Sequence, residues 1–164
     1  SCGICSSGEA CQDGQCIEPT WTDSTSSLTW QVMPTGGFMN WSNANTHCSD
    51  LDLDGGGWRL PSIDELRTLI RGCPATEDGG TCNVEEGDCL GWSCKDGTCY
   101  GCSVGDGPAS GCYWPASMLG TCSWYWSSAP VEDDGSSAWI VNFNDGHVEN
   151  YYVNGVHDVR CVRE

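Results

Sequence analysis

Gly57-Trp58-Arg59-Leu60-Pro61-Ser62-Ile63-Asp64-Glu65-Leu66 is the stretch on which the fold reading turns. Ser62 as N-cap with Glu65 three residues on is a capping box, in which each residue satisfies a backbone N–H of the other. Pro61 stands just ahead, and Asp64 and Glu65 sit where the helix end is positive. Ile63, Leu66, Leu69 and Ile70 then recur at helical spacing and form a buried stripe. Arg67 and Arg71 fall toward the C-terminal end, and Gly72 stops the helix.

Upstream, Leu28-Thr29-Trp30-Gln31-Val32 alternates between Ser27 and Pro34 and reads as a strand. Trp41, Ala44, Cys48 and Leu51 recur at helical spacing, with Asn40 or Ser42 as cap, which turns Cys48 inward. The run Asp50-Leu51-Asp52-Leu53-Asp54-Gly55-Gly56-Gly57 is a loop. Residues 1–19 are a separate unit, a small knob holding Cys2, Cys5, Cys11 and Cys16. Apart from Ile4 and Ile17 it has little to bury, so cross-links must give it shape. Downstream, residues 73–122 have no strong periodicity but are dense in cysteine and glycine, and read as a long cross-linked insertion in the 20–164 domain. Strands follow at Trp124–Ser128, Ala138–Phe143, His147–Val153 and Val159–Arg163, with Asn144-Asp145-Gly146 as a hairpin turn. Two helices, an antiparallel sheet and a long loop make an α+β class.

The chain has 164 residues, 14 of them cysteine, and 23 acids against 6 bases for a formal charge of −17. Phosphate contacts need clustered Lys and Arg, so this balance argues against nucleic acid. It argues equally against an anionic membrane surface, and no apolar run is long enough to span a bilayer. The even cysteine count points to disulfides made in an oxidising compartment, with a removed signal peptide and an extracellular or cell-surface location. Cys2-x-x-Cys5 and Cys99-x-x-Cys102 have zinc-like spacing, but the basic company usual for zinc ribbons is missing, and disulfides are the preferred reading.

In order, Trp41…Ala44…Cys48, Gly57-Trp58-Arg59-Leu60-Pro61-Ser62…Glu65-Leu66, Tyr125-Trp126-Ser127-Ser128, Trp139…Val141-Asn142-Phe143…Gly146 and Val159-Arg160-Cys161-Val162-Arg163 resemble a bacterial domain family. It is the one named after the C-terminal domain of the Legionella collagen-like adhesin, and the likeness covers about residues 21–164. The insertion is similar to versions in secreted proteins of myxobacteria and their relatives. The resemblance implies a C-type-lectin-like fold of the branch that includes formylglycine-generating enzymes, with its two ends joined by a Cys48–Cys161 disulfide. In the chain-entropy model a closure of that length is worth about 4–5 kcal/mol.

No catalytic motif is assembled. There is no Gly-x-Ser-x-Gly elbow or His-Glu-x-x-His, and His47, His147 and His157 are isolated. The expectation is a non-enzyme, with no catalytic residues. Calcium is the candidate cofactor, since oxygen ligands abound. Asp50-x-Asp52-x-Asp54-Gly55 copies the first half of an EF-hand loop, but the twelfth position is Pro61, so this is read as an exposed turn. The candidate calcium ligands are Asp133, Asp134, Asn144, Asp145 and Glu149, against the plainer reading of a solvated acidic surface. Glu85, Glu86, Asp88 and Glu132 are further acids, and Asn150 a further candidate.

Exposed rings stack on sugar faces. Trp114, Trp124, Tyr125, Trp126, Tyr151 and Tyr152 cluster in the second half; Trp58, Trp126 and Trp139 are assigned to the core. Trp92, Tyr100, Tyr113 and Trp114 of the insertion are the candidate ligand-binding set. Arg59 and Arg160 are expected to pair with a buried carboxylate, because Arg makes bidentate ion pairs. The family relative suggests sulfated polysaccharides, but the −17 charge repels a polyanion and favours a neutral glycan or a protein partner. The leading expectation is a non-catalytic adhesion or recognition module. The alternative is a structural subunit of an extracellular filament or surface layer, built by contacts between knob and domain.

Overall fold

The structure, a computed structural model, describes residues 2–6 and 9–164. The first helix, α1, runs Trp41–Ser49, and of its two candidate caps it uses Asn40, whose Oδ1 accepts from Asn43 N at 2.9 Å. The second, α2, runs Ile63–Leu69. Its capping box is formed: Ser62 Oγ accepts from Glu65 N at 3.1 Å, and Glu65 Oε2 accepts from Ser62 N at 2.8 Å. Ile63, Leu66, Leu69 and Ile70 are fully buried. The helix stops short of Gly72 because Ile70 is already extended and Arg71 N donates to Tyr113 O of the insertion.

The antiparallel strands are short. In the knob, β1 (Ala10–Gln12) and β2 (Gln15–Ile17) make a hairpin, stapled by Cys2–Cys11 and Cys5–Cys16. A second sheet joins β3 (Thr20–Thr22), β4 (Thr29–Gln31) and β8 (Val162–Arg163) in the order β3-β4-β8, so the two ends of the 20–164 region come together in one sheet, on either side of β4. Cys48–Cys161 lies beside that meeting point, with Cα atoms 5.4 Å apart. The main sheet is the meander β5 (Trp124–Val131), β6 (Asp134–Asn142) and β7 (His147–Tyr152). Its β5–β6 register shifts at Pro130, which has no N–H for the ladder. β6 ends at Asn142, one residue before the expected Phe143, and the turn takes in residues 143–146, with Gly146 at φ 74.

The main sheet carries packing on both faces, one of them only in part. On one, α2 and the insertion pack against Tyr125, Trp139, Val141, Phe143 and Val148. On the other, α1 and Trp58 pack against Trp126, Ala138 and Ile140.

Residues 73–122 are irregular apart from two single 3-10 turns, Trp92–Cys94 and Gly97–Cys99. Their cysteines pair only among themselves, as Cys73–Cys102, Cys82–Cys99, Cys89–Cys94 and Cys112–Cys122. The insertion is thus covalently closed within itself. It is seated on the sheet by backbone bonds: Cys102 N to Asp145 O at 2.6 Å, Gly105 N to Asn144 O at 2.8 Å and Tyr113 N to Phe143 O at 2.8 Å. Gly101 makes the close approach feasible, since a Cβ there would lie 2.4 Å from Asp145 O. Among the described residues no helix is long and apolar enough to cross a membrane.

Candidate ligand cleft

The 6 bases are all engaged within the protein. Arg160, fully buried, donates to the carbonyls of Gln31, Val32 and Leu119, with its guanidinium 5.0 Å from the Trp114 ring centroid and 5.4 Å from that of Tyr125. The expected carboxylate partner is replaced by this cage of carbonyls and rings, because the last turns before β8 pass beneath the chain at 31–32 and 119. Arg67 lies in the last turn of α2, as expected, where it is buried and donates to the carbonyls of Thr76, Glu77 and Val84, holding the start of the insertion. Burial lowers the pKa of both guanidinium groups. Arg163 donates to the carbonyls of Leu53, Asp54 and Gly56 and lies over Trp58. A guanidinium thus holds the backbone of the Asp50–Gly57 loop at three of its carbonyls.

Arg59 does make the expected bidentate pair, with both Glu65 oxygens at 2.6 Å. Burial works to raise the Glu65 carboxyl, but the bonds from Arg59 and Ser62 outweigh it and hold it below the ordinary value. Arg71 lies 3.6 Å from Asp23, and Lys95 pairs with Glu149.

The five candidate calcium ligands do not converge. Asp133 and Asp134 lie at the start of β6, and Asn144 and Asp145 beyond its far end. At a strand rise of about 3.3 Å per residue the two groups stand roughly 25 Å apart. Asp133 Oδ2 accepts from Trp92 N at 3.2 Å, Asp134 from Ser136 and Ser137, and Asp145 Oδ1 from His147 N at 3.0 Å. Glu149, toward the same end as Asp145, is taken by Lys95. Among the described residues the one close group of His, Cys, Asp and Glu atoms is Cys5, Glu9 and Cys16, and both of those sulfurs are in a disulfide.

The four candidate aromatics also separate. Tyr113 and Trp114 are 3% and 2% exposed and belong to the core under the insertion, with Tyr113 Oη donating to Ser103 O. Trp92, 47% exposed, stands by Asp133 at the β5–β6 turn. Tyr100, 58% exposed, stands at the other end, edge-on to His147.

Tyr100 marks the rim of a cleft of about 380 Å³ lined by Trp124, Ile140, His147, Glu149, Asn150, Tyr151 and His157. In β7 the alternation of strand faces puts His147, Glu149 and Tyr151 together, on the same face as Trp126 and Ile140. That face is covered by α1 near β5 and left open toward β7, the edge strand. Each wall is an imidazole between two rings. His147 lies 5.3 Å from Trp124 and 5.4 Å from Tyr100, and His157 lies 4.7 Å from Trp126 and 4.8 Å from Tyr151. Burial lowers the pKa of both imidazoles. Their Nε2 atoms are buried without a hydrogen-bond partner; that of His147 is 3.6 Å from Glu149 Oε2. Gly155 positions Tyr151, because a Cβ there would lie 2.5 Å from the ring.

The sequence from Pro19 to Arg163 matches the model of the Lcl C-terminal domain. The chain belongs to the Lcl C-terminal domain family. No curated protein matches it. The 19–163 span leaves the stapled hairpin outside the Lcl C-terminal domain and includes the whole insertion and every residue of the cleft. The two histidines of the cleft escape sequence reading because each is isolated in the chain. The one local signal was the alternation His147, Glu149, Tyr151.

Proposed function

We propose that this Lcl C-terminal domain is a non-catalytic recognition module, secreted or displayed at a cell surface, on a C-type-lectin-like scaffold. The observation that carries the reading is the aromatic and polar cleft on the open face of the main sheet. Rings flanking a few convergent polar groups are the usual chemistry of a binding site. All 14 cysteines are paired, which supports an oxidising location and supplies no thiol for an oxidase. With every base engaged internally and a charge of −17, a sulfated chain would meet repulsion without a basic patch, so a neutral glycan or a protein is favoured.

The test is retention of fluorescent beads carrying the protein on two surfaces: a glycan array with neutral and sulfated members, and a panel of immobilised extracellular-matrix proteins. Saturable retention by neutral glycans or by proteins is expected. Silence on both surfaces, or retention by sulfated glycans alone, overturns the reading.

A further inference from the structure

We infer that the cleft between Trp124 and Tyr151 takes one uncharged sugar ring of the pyranose type, held without calcium. The inference rests on the recognition reading and assigns its ligand class and seat.

The shape argues for one ring. The space of about 380 Å³ is at the small end of ligand pockets. It is bounded by Trp124 on one side and by the 48%-exposed Tyr151 on the other. Aromatic walls with polar atoms between them suit a ligand that has C–H faces and a rim of hydroxyls.

Charge argues for a neutral ligand. Lys95 and Glu149 cancel one another at the cleft edge, and no other Lys or Arg lines it. An anion finds no free counter-charge there, while a cation finds carboxylates all over a molecule of charge −17 and no reason to prefer this seat.

Hydrogen bonding argues for hydroxyls. His147 and His157 each have a buried Nε2 with no partner, and a neutral imidazole nitrogen donates or accepts according to tautomer. A hydroxyl does both, so it serves either nitrogen in either tautomer. The half-exposed Tyr151 ring packs edge-on against His157, with centroids 4.8 Å apart, so the ring that would stack on the sugar also adjoins that imidazole. Calcium is unnecessary, because Glu149 already has Lys95 as its cation.

The test uses the whole chain and saturation-transfer NMR with cellobiose, maltose, lactose, chitobiose and a heparin-derived disaccharide, each in EDTA and in calcium. At least one neutral disaccharide is expected to show transfer, equally in both conditions, and the heparin disaccharide none. Tyr151→Ala is expected to weaken that binding about tenfold, as loss of one stacked ring would. Gly155→Ala, which pushes Tyr151 aside, should weaken it as well, and Trp92→Ala at the far end of the sheet should not. Trp124→Ala serves as a second wall variant where circular dichroism shows the fold intact. Binding that needs calcium, or that survives Tyr151→Ala and Gly155→Ala, overturns the inference and leaves the recognition reading standing. Silence of every neutral sugar also overturns it. Retention on matrix proteins in the bead assay then shows that recognition persists with a protein as partner.

Discussion

Arg160 of the segment leading into the last strand lies with its guanidinium 5.0 Å from the ring centroid of Trp114, a residue of the insertion. The same guanidinium reaches Gln31, Val32 and Leu119, so one side chain ties the C-terminal segment, the end of β4 and the cross-linked loop together. This buried cation adds polar ties at the edge of the apolar core, beside the buried rings of Trp114 and Tyr125. Arg160→Leu removes the donor from three buried or part-buried carbonyls and is expected to cost about 3 kcal/mol or more. Arg160→Lys should recover less than half of that, since a single ammonium lacks the planar fork. Denaturant unfolding with the disulfides intact measures both.

Cys48 and Cys161 are separated by 113 residues, and theirs is the one disulfide that joins distant parts of the 20–164 region. The other cross-links close locally, within the knob or within the insertion. The double variant Cys48→Ala/Cys161→Ala is therefore expected to lose about 4–5 kcal/mol in the chain-entropy model. A replacement of Cys89 and Cys94, whose loop is far shorter, should lose clearly less. Equal losses for the two pairs, read by guanidinium denaturation, would contradict the assignment of Cys48–Cys161 as the main global staple.

What was legible in the sequence was local. The Ser62–Glu65 box fixed the start of α2 to the residue, because both partners of the motif lie within one turn. The β6–β7 hairpin was legible from its turn residues, although Phe143 belongs to the turn because its backbone is bonded to Ser123 and Tyr113. The three-residue strands β1, β2 and β3 were not, since so few residues carry no period. The partners of Arg67 and Arg160 were not legible, because they are carbonyls of other segments and a carbonyl has no signature in sequence. The cleft was missed for the same reason: Tyr100, Trp124, His147 and His157 come from four stretches that only the fold brings together.

Both cleft imidazoles make stability depend on pH. His157 is lowered by burial alone; for His147 burial comes first, Lys95 adds to it, and Glu149 and Asp145 pull the other way. The folded chain thus holds these protons less readily than the unfolded chain, whose imidazoles titrate near 6.5. Their contribution to stability is whole above that value and is lost as pH falls below it toward the lowered folded values. The denaturation midpoint is expected to drop between pH 7 and pH 5, and His157→Gln should flatten part of that drop. Unchanged slopes in the variant would show that His157 takes up its proton equally in the folded and unfolded chains, and that burial does not lower it.

The stapled knob touches the larger domain mainly through Ile17, which packs against the core, and through the Pro19 carbonyl that accepts from Val32 N at 2.9 Å. Ile4, by contrast, is exposed. A chain beginning at Glu18 keeps Pro19, the end-to-end sheet and the Cys48–Cys161 bond. It loses one partly buried Ile, a change of about 1–2 kcal/mol at 25 cal/mol per Å² of apolar surface. Such a chain is expected to unfold cooperatively with a melting temperature only a few degrees lower, and to keep the cleft's ligand binding. A broad, non-cooperative transition by calorimetry would show that the hairpin is an integral part of the larger domain's fold, and the division at residue 19 would fall with it.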